Sequence, residues 1–350
     1  MTILVTGGSG FIGTNFILKC IKEEFDELIV NLDKLTYAGN INNLKCIENK
    51  KNYIFIRGDI KDSALIDVIL ARYKPRAVIH FAAESHVDHS IFYPANFIQT
   101  NVVGTFVLLE RAKKFWKNLS GIDSKKFRFC HVSTDEVYGT LEANDQPFEE
   151  NHCYKPNSPY SASKASSNHF VRAYFSTYGF PVLTINCSNN YGPYQLPEKL
   201  IPHIINNALH GKSLPVYGDG LQIRDWLFVE DHCTAILNVL EKGSIGEVYN
   251  VGGANEKTNI EVIYYICKVL DKLKPKCDTT SYKSQIIYVK DRLGHDRRYS
   301  INAAKIHQSV SWSPVTCFEN GLKKTINWYL DNQLWVLDAM SRCSKSRNLI

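Results

Sequence analysis

The chain has 350 residues and a formal net charge of +6 at pH 7, with 44% hydrophobic and 22% charged residues. This composition is ordinary for a globular protein with a large core, and no nucleic-acid-binding motif accompanies the mild positive charge. No apolar run approaches the ~20 residues of a membrane-spanning helix, and the N-terminus opens on a strand rather than a signal peptide. The ten cysteines stand singly, which favours reduced thiols. We therefore expect a cytoplasmic protein that binds neither nucleic acid nor membrane.

The first half of the chain alternates strand-like and helix-like segments. Residues 3–5 form a short apolar strand, and the glycine-rich turn after it opens a helix that runs to about Glu24. A second strand, residues 28–32, ends at Asp33. Regular alternation of this kind predicts a parallel sheet with helices on both faces. The further strand candidates are residues 53–57, 77–81, 127–133 and 182–187.

The second half of the chain has a looser pattern, which begins at about Pro193. Short strands such as residues 214–217 and 248–250 lie there among helices and loops. The sequence thus predicts an α/β fold, in which a Rossmann-type doubly wound parallel sheet is joined to a smaller C-terminal α/β substrate-binding domain. We place the dinucleotide-binding domain at residues 1–190 and the substrate-binding domain mainly at residues 191–350, with interleaved segments.

Three glycines follow the first strand at a spacing typical of dinucleotide-binding loops. Gly7, Gly10 and Gly13 would let the backbone approach a pyrophosphate at a helix N-terminus, where free N–H groups favour anions. Asp33, at the end of the second strand, would accept hydrogen bonds from the adenosine ribose and would repel a 2′-phosphate. The loop therefore predicts NAD rather than NADP, although Lys34 next to it could attract a phosphate.

Asp59 and Ile60 follow the third strand, where a loop would reach the adenine. An acidic residue at a strand end is as often a helix cap. The sequence leaves both roles of Asp59 open.

The residues with the clearest chemistry are Tyr160 and Lys164, which lie four apart and so share one helix face. A lysine ammonium beside a phenol favours the phenolate, so Tyr160 can act as a base near neutral pH. Thr134, Asp135 and Glu136 follow a strand and place a hydroxyl beside two carboxyl groups. Alcohol oxidation by a nicotinamide needs only the tyrosine base, whereas elimination also needs an acid and a base. The two motifs together predict an oxidation coupled to an elimination.

Eight segments spread nearly end to end along the chain match motifs of a known enzyme family: residues 33–40, 82–88, 133–139, 160–164, 186–194, 197–202, 223–226 and 291–299. On these segments the chain resembles the extended short-chain dehydrogenase/reductase family, and within it the sugar-nucleotide 4,6-dehydratases. The Tyr-x-x-x-Lys pair marks the superfamily, and the Thr-Asp-Glu triplet marks the dehydratases. Two positions depart from the pattern, because His89 replaces an expected arginine and Leu293 an expected proline.

The resemblance implies a substrate and a reaction. A sugar nucleotide, with dTDP-glucose as the first candidate, would lose water to give a 4-keto-6-deoxy sugar nucleotide, a step of deoxysugar (rhamnose-type) biosynthesis. Tyr160 would take the proton of the 4-hydroxyl while hydride passes from C4 to NAD. Glu136 would then remove the C5 proton and Asp135 protonate the leaving 6-hydroxyl, before hydride returns to C6. Asp135 must be protonated and Glu136 ionised, roles that neighbouring carboxyl groups can divide.

The resemblance also implies which residues surround the two ligands, and it includes no metal site. The cofactor would contact Phe11, Ile12, Leu35, Thr36, Phe81, Ala82, Ala83, Ser85, Thr100 and Asn190, together with Gly7, Gly10, Gly13, Asp33, Lys34, Asp59, Ile60, Tyr160 and Lys164. The sugar nucleotide would contact Ser85, Thr134, Asn189, Lys199, Leu200, Pro215, Tyr217, Arg224, Asn259, Arg292 and His295.

Three other functions stay open on the sequence alone. A sugar-nucleotide 4-epimerase would share the fold, the cofactor, Tyr160 and Lys164, but it needs no acid–base pair after Thr134. A 4,6-dehydratase acting on UDP-glucose or GDP-mannose would differ only in the pocket for the base, and one methyl group distinguishes thymine from uracil. A non-catalytic NAD-sensing protein would tolerate the loss of a catalytic residue, yet none is lost.

Two predicted helices are rich in apolar side chains. They span about residues 97–111 and 160–178, and Phe106, Phe170 and Phe175 are among their apolar residues. By analogy with the superfamily, we expect these helices to pack against a second copy of the chain in a homodimer.

Overall fold

The computed structural model describes residues 1–291 and 294–348, and its centre is a seven-stranded parallel sheet. The strands of the described residues are β1 (Thr2–Thr6), β2 (Leu28–Asp33), β3 (Tyr53–Arg57), β4 (Ala77–His80), β5 (Arg128–Thr134), β6 (Val182–Cys187), β7 (Asn189–Tyr191), β8 (Leu214–Tyr217), β9 (Ile223–Phe228), β10 (Val248–Val251), β11 (Glu256–Thr258) and β12 (Ile286–Val289). The large sheet has the order β10-β6-β5-β4-β1-β2-β3, in which successive strands are added on one side of β1 up to β3 and on the other side from β4 onward. The loops that follow β1 and β4 therefore turn to opposite sides.

Helices cover both faces of this sheet, as the alternating pattern predicts. The α-helices are α1 (Phe11–Lys22), α2 (Ser63–Tyr73), α3 (Val87–Phe92), α4 (Pro94–Phe97), α5 (Thr105–Lys117), α6 (Gly121–Lys126), α7 (Pro159–Tyr178), α8 (Leu200–Leu209), α9 (Val229–Lys242), α10 (Asn259–Leu273), α11 (Ala304–Val310), α12 (Phe318–Asp331) and α13 (Gln333–Asn348). Short 3₁₀ segments span Ile41–Ile47, Asp135–Tyr138 and Tyr282–Gln285, and a π-helical segment spans Ile98–Gly104.

The side chains of β1 show how one strand serves two cores. Ile3 and Val5 point to a cluster that includes α1 and α9, whereas Leu4 points to a cluster that includes α2, α5 and α7. A strand that is buried on both faces is mostly apolar, and β1 is apolar from Ile3 to Val5, whereas β6 also buries Thr184 and Asn186. The predicted Rossmann-type doubly wound sheet is therefore confirmed.

The C-terminal half builds most of a second region but also returns to the large sheet. A three-stranded sheet (β11-β9-β7) and a two-stranded sheet (β12-β8) pack with α8, α10 and α12 around an apolar cluster of their own. β10, however, pairs with β6 in the large sheet, and α9 belongs to the core around α1. The division of the chain at residue 190 stays a prediction.

One predicted helix differs from the structure in a way that affects the site. The sequence pattern predicts a single helix over about residues 97–111, but the helix passes through the π-helical segment Ile98–Gly104 before α5 begins. Asn101, in this segment, bonds the backbone of Glu84 on both sides, accepting from its N–H at 2.8 Å and donating to its carbonyl at 3.0 Å. The wider turn therefore holds the loop after β4 in place, and π-helical turns are frequent at functional sites.

Across residues 1–291 and 294–348, no helix combines the length and the apolar character that crossing a bilayer would require.

Candidate active site

The loops that follow the carboxyl ends of the parallel strands line one cavity. The register of the sheet aligns Thr6 of β1 with Leu32 of β2 and His80 of β4, so the segments after these strands begin at the same edge. All five predicted catalytic residues line this cavity, as do all the predicted cofactor contacts except Leu35. Of the predicted substrate contacts the cavity wall includes Ser85, Thr134, Asn189 and Lys199.

The glycine loop after β1 is a cradle that side chains would fill. Gly7 has a φ of +73°, and a Cβ there would lie 2.6 Å from the backbone nitrogen of Ala82. A Cβ at Gly13 would lie 2.4 Å from the Gly7 carbonyl oxygen. No side chain caps the first turn of α1, whose N-terminus begins at this loop. The cradle thus fits a pyrophosphate that is bound by backbone groups.

Asp33 lies at the end of β2 with its carboxylate already oriented by the backbone. Its Oδ2 accepts from the Ser9 N–H at 2.9 Å and its Oδ1 from the Leu35 N–H at 2.8 Å. Burial raises the pKa of Asp33 above its ordinary value, although these two bonds oppose the rise. The carboxylate still borders the cavity and can accept from a ribose hydroxyl. Leu35 itself lies outside the wall and contributes through its N–H.

Lys34 and Asp59 form an ion pair across the mouth of the cavity, with 2.9 Å between Nζ and Oδ2. Burial alone would raise the pKa of Asp59, but the hydrogen bonds from Lys34 and the Lys61 N–H lower it overall. Asp59 does not cap α2, because Asp62 accepts from the third N–H of that helix. Of the two roles that the sequence leaves open, the position beside the cavity is the one observed. The Lys34 charge is neutralised here, which weakens it as a partner for a 2′-phosphate.

Thr134, Asp135 and Glu136 form the turn at the end of β5. Thr134 Oγ1 accepts from the Glu136 N–H at 3.3 Å and donates to Asp135 Oδ1 at 3.3 Å. Asp135 is 2% exposed, and its Oδ2 has no hydrogen-bond partner among the described residues. Burial raises the pKa of Asp135 well above its usual range, and the Glu136 and Asp225 carboxylates raise it further. These surroundings favour the protonated form of Asp135, the form that can donate a proton into the cavity.

Tyr160 and Lys164 stand in the first two turns of α7, which begins with a Ser158–Ser161 capping box. The Lys164 ammonium donates to the Val132 carbonyl at 2.9 Å, and burial lowers the pKa of Lys164 to about 8. Burial and the Glu136 carboxylate raise the pKa of Tyr160 well above its ordinary value. That Lys164 and the nicotinamide charge together lower the proton affinity of Tyr160 stays a prediction.

Arg224 lies behind the carboxyl pair rather than in the cavity wall. It is 5% exposed, donates to the carbonyls of Ile223 at 2.7 Å and Asp296 at 3.0 Å, and lies over the Tyr299 ring at 4.3 Å. Its charge opposes the rise of the Asp135 pKa. The predicted contact of Arg224 with a substrate phosphate stays a prediction.

The remaining predicted substrate contacts that the structure describes lie outside the cavity wall, at the start of α8, in β8, at the start of α10 and in the segment after β12. Gln222 links several of them, because its carbonyl accepts from the Asn259 N–H at 3.0 Å and its side chain donates to Asp291 at 3.1 Å. Asp291 in turn contacts His295 Nδ1 at 2.6 Å. Arg292 and Leu293 lie outside the described residues. The others in this group are Leu200, Pro215 and Tyr217.

His89, the departure from the family pattern, stacks on His86 with 4.0 Å between ring centroids and 7° between planes. His86 Nε2 lies 3.4 Å from Glu198 Oε2, and one ligand atom from each of the three residues falls within 4.8 Å of the others. The lone pairs of two nearly parallel rings do not converge on one point, so we assign no metal ion to this cluster.

The cavity wall also contains residues that the sequence did not single out. Glu84 lies inside a matched motif and could have been found there, whereas Gln195 and Leu196 fall outside every matched motif. Asp225 is a buried acid beside Asp135, and only the fold brings the two together. The additional wall residues are Leu32, Ala38, Gly39, Gly58, Glu84, Val132, Ser133, Cys187, Ser188, Gln195 and Leu196.

A doubly wound sheet with a glycine loop after β1, and a Tyr-x-x-x-Lys pair opening into the same cavity, defines an enzyme of the extended short-chain dehydrogenase/reductase class. Within that class, the sequence model of the GDP-mannose 4,6 dehydratase family matches residues 4–325, and the chain belongs to this family.

Similar proteins share both the sequence and the fold over nearly the whole chain. A dTDP-glucose 4,6-dehydratase of Xanthomonas campestris is 57% identical over 96% of this chain and 95% of its own. The crystal structure of a Bacillus anthracis dTDP-glucose 4,6-dehydratase in complex with NAD is 47% identical, with a TM-score of 0.85 over 97% of this chain and 99% of that one. The Streptomyces venezuelae enzyme of the same name, also with NAD bound, is 42% identical with a TM-score of 0.87 over 97% and 100%.

Proposed function

We propose that the chain is a dTDP-glucose 4,6-dehydratase, a hydro-lyase that converts dTDP-glucose to dTDP-4-keto-6-deoxyglucose and water with bound NAD. The observation that carries the proposal is that Asp135, whose pKa is raised well above its usual range by burial, lies beside Glu136 in the cavity that also holds Tyr160. An epimerase has no use for this pair. The names of the relatives support dTDP as the nucleotide, and with it a role in deoxysugar (rhamnose-type) biosynthesis. The free cysteines support a cytoplasmic location.

The cofactor site suits NAD for three reasons. The glycine loop from Gly7 to Gly13 leaves room for a pyrophosphate against the backbone. Asp33 lines the cavity where the ribose would lie, and Lys34 forms an ion pair with Asp59. NAD, when bound, accepts hydride from C4 of the sugar and returns it to C6. The positive charge of an oxidised nicotinamide beside Tyr160 would oppose the burial and the carboxylates that raise the pKa of this phenol.

Oxidation begins with proton transfer from the sugar 4-hydroxyl to Tyr160. The Thr134 hydroxyl lies near enough to lower the pKa of Tyr160, and it would orient the 4-oxygen toward the phenol. Lys164 stays anchored on the Val132 carbonyl and supplies positive charge at the end of the site that holds the phenol. Tyr160 lines the cavity, where the 4-hydroxyl could come within the hydrogen-bond reach that general-base catalysis requires.

Elimination then uses the two carboxyl groups in opposite states. The new 4-ketone acidifies the C5 hydrogen, which Glu136 removes as a carboxylate and returns to C5 when hydride is added at C6. Asp135 gives its proton to the 6-hydroxyl, which leaves as water. The environments of the two groups differ as these roles need, because Asp135 is buried whereas Glu136 is only partly buried.

The proton balance of this cycle assigns a second role to Thr134. After one turnover Tyr160 holds the proton of the 4-hydroxyl, while Asp135 has lost its own to the water. One proton must therefore move from Tyr160 to Asp135 before the next substrate reacts. The Thr134 hydroxyl donates to Asp135 Oδ1 at 3.3 Å and lies close enough to Tyr160 to lower the pKa of the phenol, so it could accept from the phenol and donate to the carboxylate. We propose that Thr134 relays this proton.

Incubation with dTDP-glucose and no added cofactor tests the function. We expect a 4-keto product lighter by one water, because the enzyme regenerates its NAD in every turnover and should retain it through purification. UDP-glucose should react more slowly, since one methyl group contributes ~10–200-fold to discrimination in an apolar pocket. Recovery of NADP from the denatured protein, or an absolute need for added cofactor, would contradict the cofactor assignment.

We also propose a homodimer that packs through α5 and α7. Much of the apolar surface of these helices is used in the core of the subunit, since Leu108, Leu109, Val171 and Tyr174 are buried. Phe106 and Phe170, however, are 42% and 39% exposed and their rings lie 6.1 Å apart, which leaves an apolar surface for a second copy.

The double variant Phe106→Glu, Phe170→Glu should be a monomer by light scattering at micromolar concentration, while the parent has the dimer mass. The parent's core is untouched by these changes, so circular dichroism should stay the same. A monomeric parent would contradict the proposal.

A further inference from the structure

The last helix, α13, lies behind the loop that carries the adenosine-side residues. This loop, residues 33–43, contributes Asp33, Lys34, Thr36, Ala38 and Gly39 to the cavity wall. Residues 333–343 of α13 lie outside that wall, and the mechanism gives them no role. These residues nevertheless hold the loop through hydrogen bonds and apolar packing.

Two side chains one turn apart on α13 hold the loop by polar contacts. Arg342 Nη1 donates to the Gly39 carbonyl at 2.9 Å, and its Nε donates to Asp338 Oδ2 at 3.1 Å. The same Asp338 oxygen accepts from Asn40 Nδ2 at 3.2 Å. The Gly39 carbonyl and the Asn40 side chain of the loop are therefore both hydrogen-bonded to the Asp338–Arg342 ion pair.

A third contact connects α13 to the glycine cradle. Trp335 Nε1 donates to Asn43 Oδ1 at 2.7 Å, and the Asn43 amide donates to the Ser9 carbonyl at 3.2 Å. The Ser9 N–H in turn donates to Asp33 Oδ2 at 2.9 Å. A continuous chain of hydrogen bonds thus runs from α13 to the carboxylate that faces the ribose position.

Apolar packing closes the space between these polar contacts. Ala339 is fully buried and Cys343 is 8% exposed, and both pack with Leu196 and with Tyr37 and Ala38 of the loop. Ala38 and Leu196 also line the cavity. The helix is therefore the outer support of this part of the wall.

We propose that Trp335, Asp338 and Arg342 are positioning residues that hold the loop closed over the adenosine half of NAD and set the rate at which it leaves. The inference rests on the proposed function for the identity of the cofactor. It follows from connectivity, because the loop cannot swing outward unless it breaks these contacts. Because the cofactor is regenerated in each turnover, the enzyme does not need to release it. The support from α13 would keep it bound.

Exchange of bound NAD against an excess of isotopically heavy NAD, followed by mass spectrometry of the denatured protein, measures this rate. We expect Arg342→Ala to exchange about tenfold faster or more, since it loses charge-assisted hydrogen bonds. Trp335→Phe keeps an aromatic ring but loses the N–H, and should exchange several-fold faster. Leu334→Ala, at a side chain that is 85% exposed on the same helix, should exchange at the parent rate.

The outcomes separate the two proposals. A parent protein without bound NAD would overturn the proposed function and this inference with it. A parent that holds NAD, with Trp335→Phe and Arg342→Ala folded by circular dichroism and exchanging at the parent rate, would overturn this inference alone. Faster exchange in both variants, with an unchanged KM for dTDP-glucose, would support it, because a general loss of structure would disturb both ligands.

Discussion

Replacing Glu136 with Gln is expected to reduce formation of the 4-keto-6-deoxy product by ~10²–10⁴-fold, the usual contribution of a positioned base. The change keeps size and hydrogen bonding but removes the group that takes the C5 proton. Hydride transfer from C4 remains possible because Tyr160 is intact. Reduced nicotinamide should therefore accumulate on the enzyme after mixing with dTDP-glucose, visible as its absorbance band in a stopped-flow experiment.

Two companion variants locate the defect. In Asp135→Asn the new side chain has nearly the shape of aspartic acid but cannot donate the acid proton. This variant should likewise form reduced nicotinamide and little product. Tyr160→Phe should slow the appearance of the reduced nicotinamide itself, because it affects the first proton transfer. Product formation by Glu136→Gln at the parent rate would show that this carboxylate has no part in elimination.

Thr134→Val should separate the first turnover from the ones that follow. Valine has nearly the shape of threonine but cannot carry a proton between Tyr160 and Asp135. With enzyme in excess, the single turnover should slow only by the loss of orientation of the 4-oxygen. With substrate in excess, we expect the steady-state rate to fall about tenfold or more below the single-turnover rate, because the proton must return through solvent.

Thr134→Ser is the matched control, since it keeps the hydroxyl that contacts Asp135 and caps the turn at Glu136. In this variant the single-turnover and steady-state rates should stay equal. A small diffusible buffer acid should accelerate the steady state of the valine variant and leave the serine variant unaffected. Equal falls of both rates in the valine variant would rule out the relay.

Much of the fold could be predicted because the signals are local. The apolar run before Gly7, the glycine spacing and Asp33 all lie within one strand–helix–strand unit, so their arrangement follows from chain connectivity. The parallel sheet follows from the same alternation. The π-helical turn at Asn101 could not be read in this way, because its sequence has ordinary helical periodicity and the bonds that hold it come from Glu84.

The site was predictable to the extent that its residues belong to motifs. Thr134, Asp135, Tyr160 and Lys164 meet as expected, but the state of Tyr160 depends on burial and on the nearby carboxylates, which the spacing does not reveal. Asp225 reaches Asp135 only through the packing of β9 beside β7. The role of Arg342 was also hidden, since a surface arginine and one that ties two distant segments look alike in sequence.

We infer that the Asp135–Glu136 pair converts an alcohol oxidation into a dehydration. The most direct test uses dTDP-glucose deuterated at C4, incubated with the protein and no added cofactor. We predict that the product is lighter by one water and carries the deuterium in its C6 methyl group, as read by mass spectrometry and NMR. Deuterium that returns to C4 in a sugar nucleotide of unchanged mass would be 4-epimerase chemistry and would contradict the account.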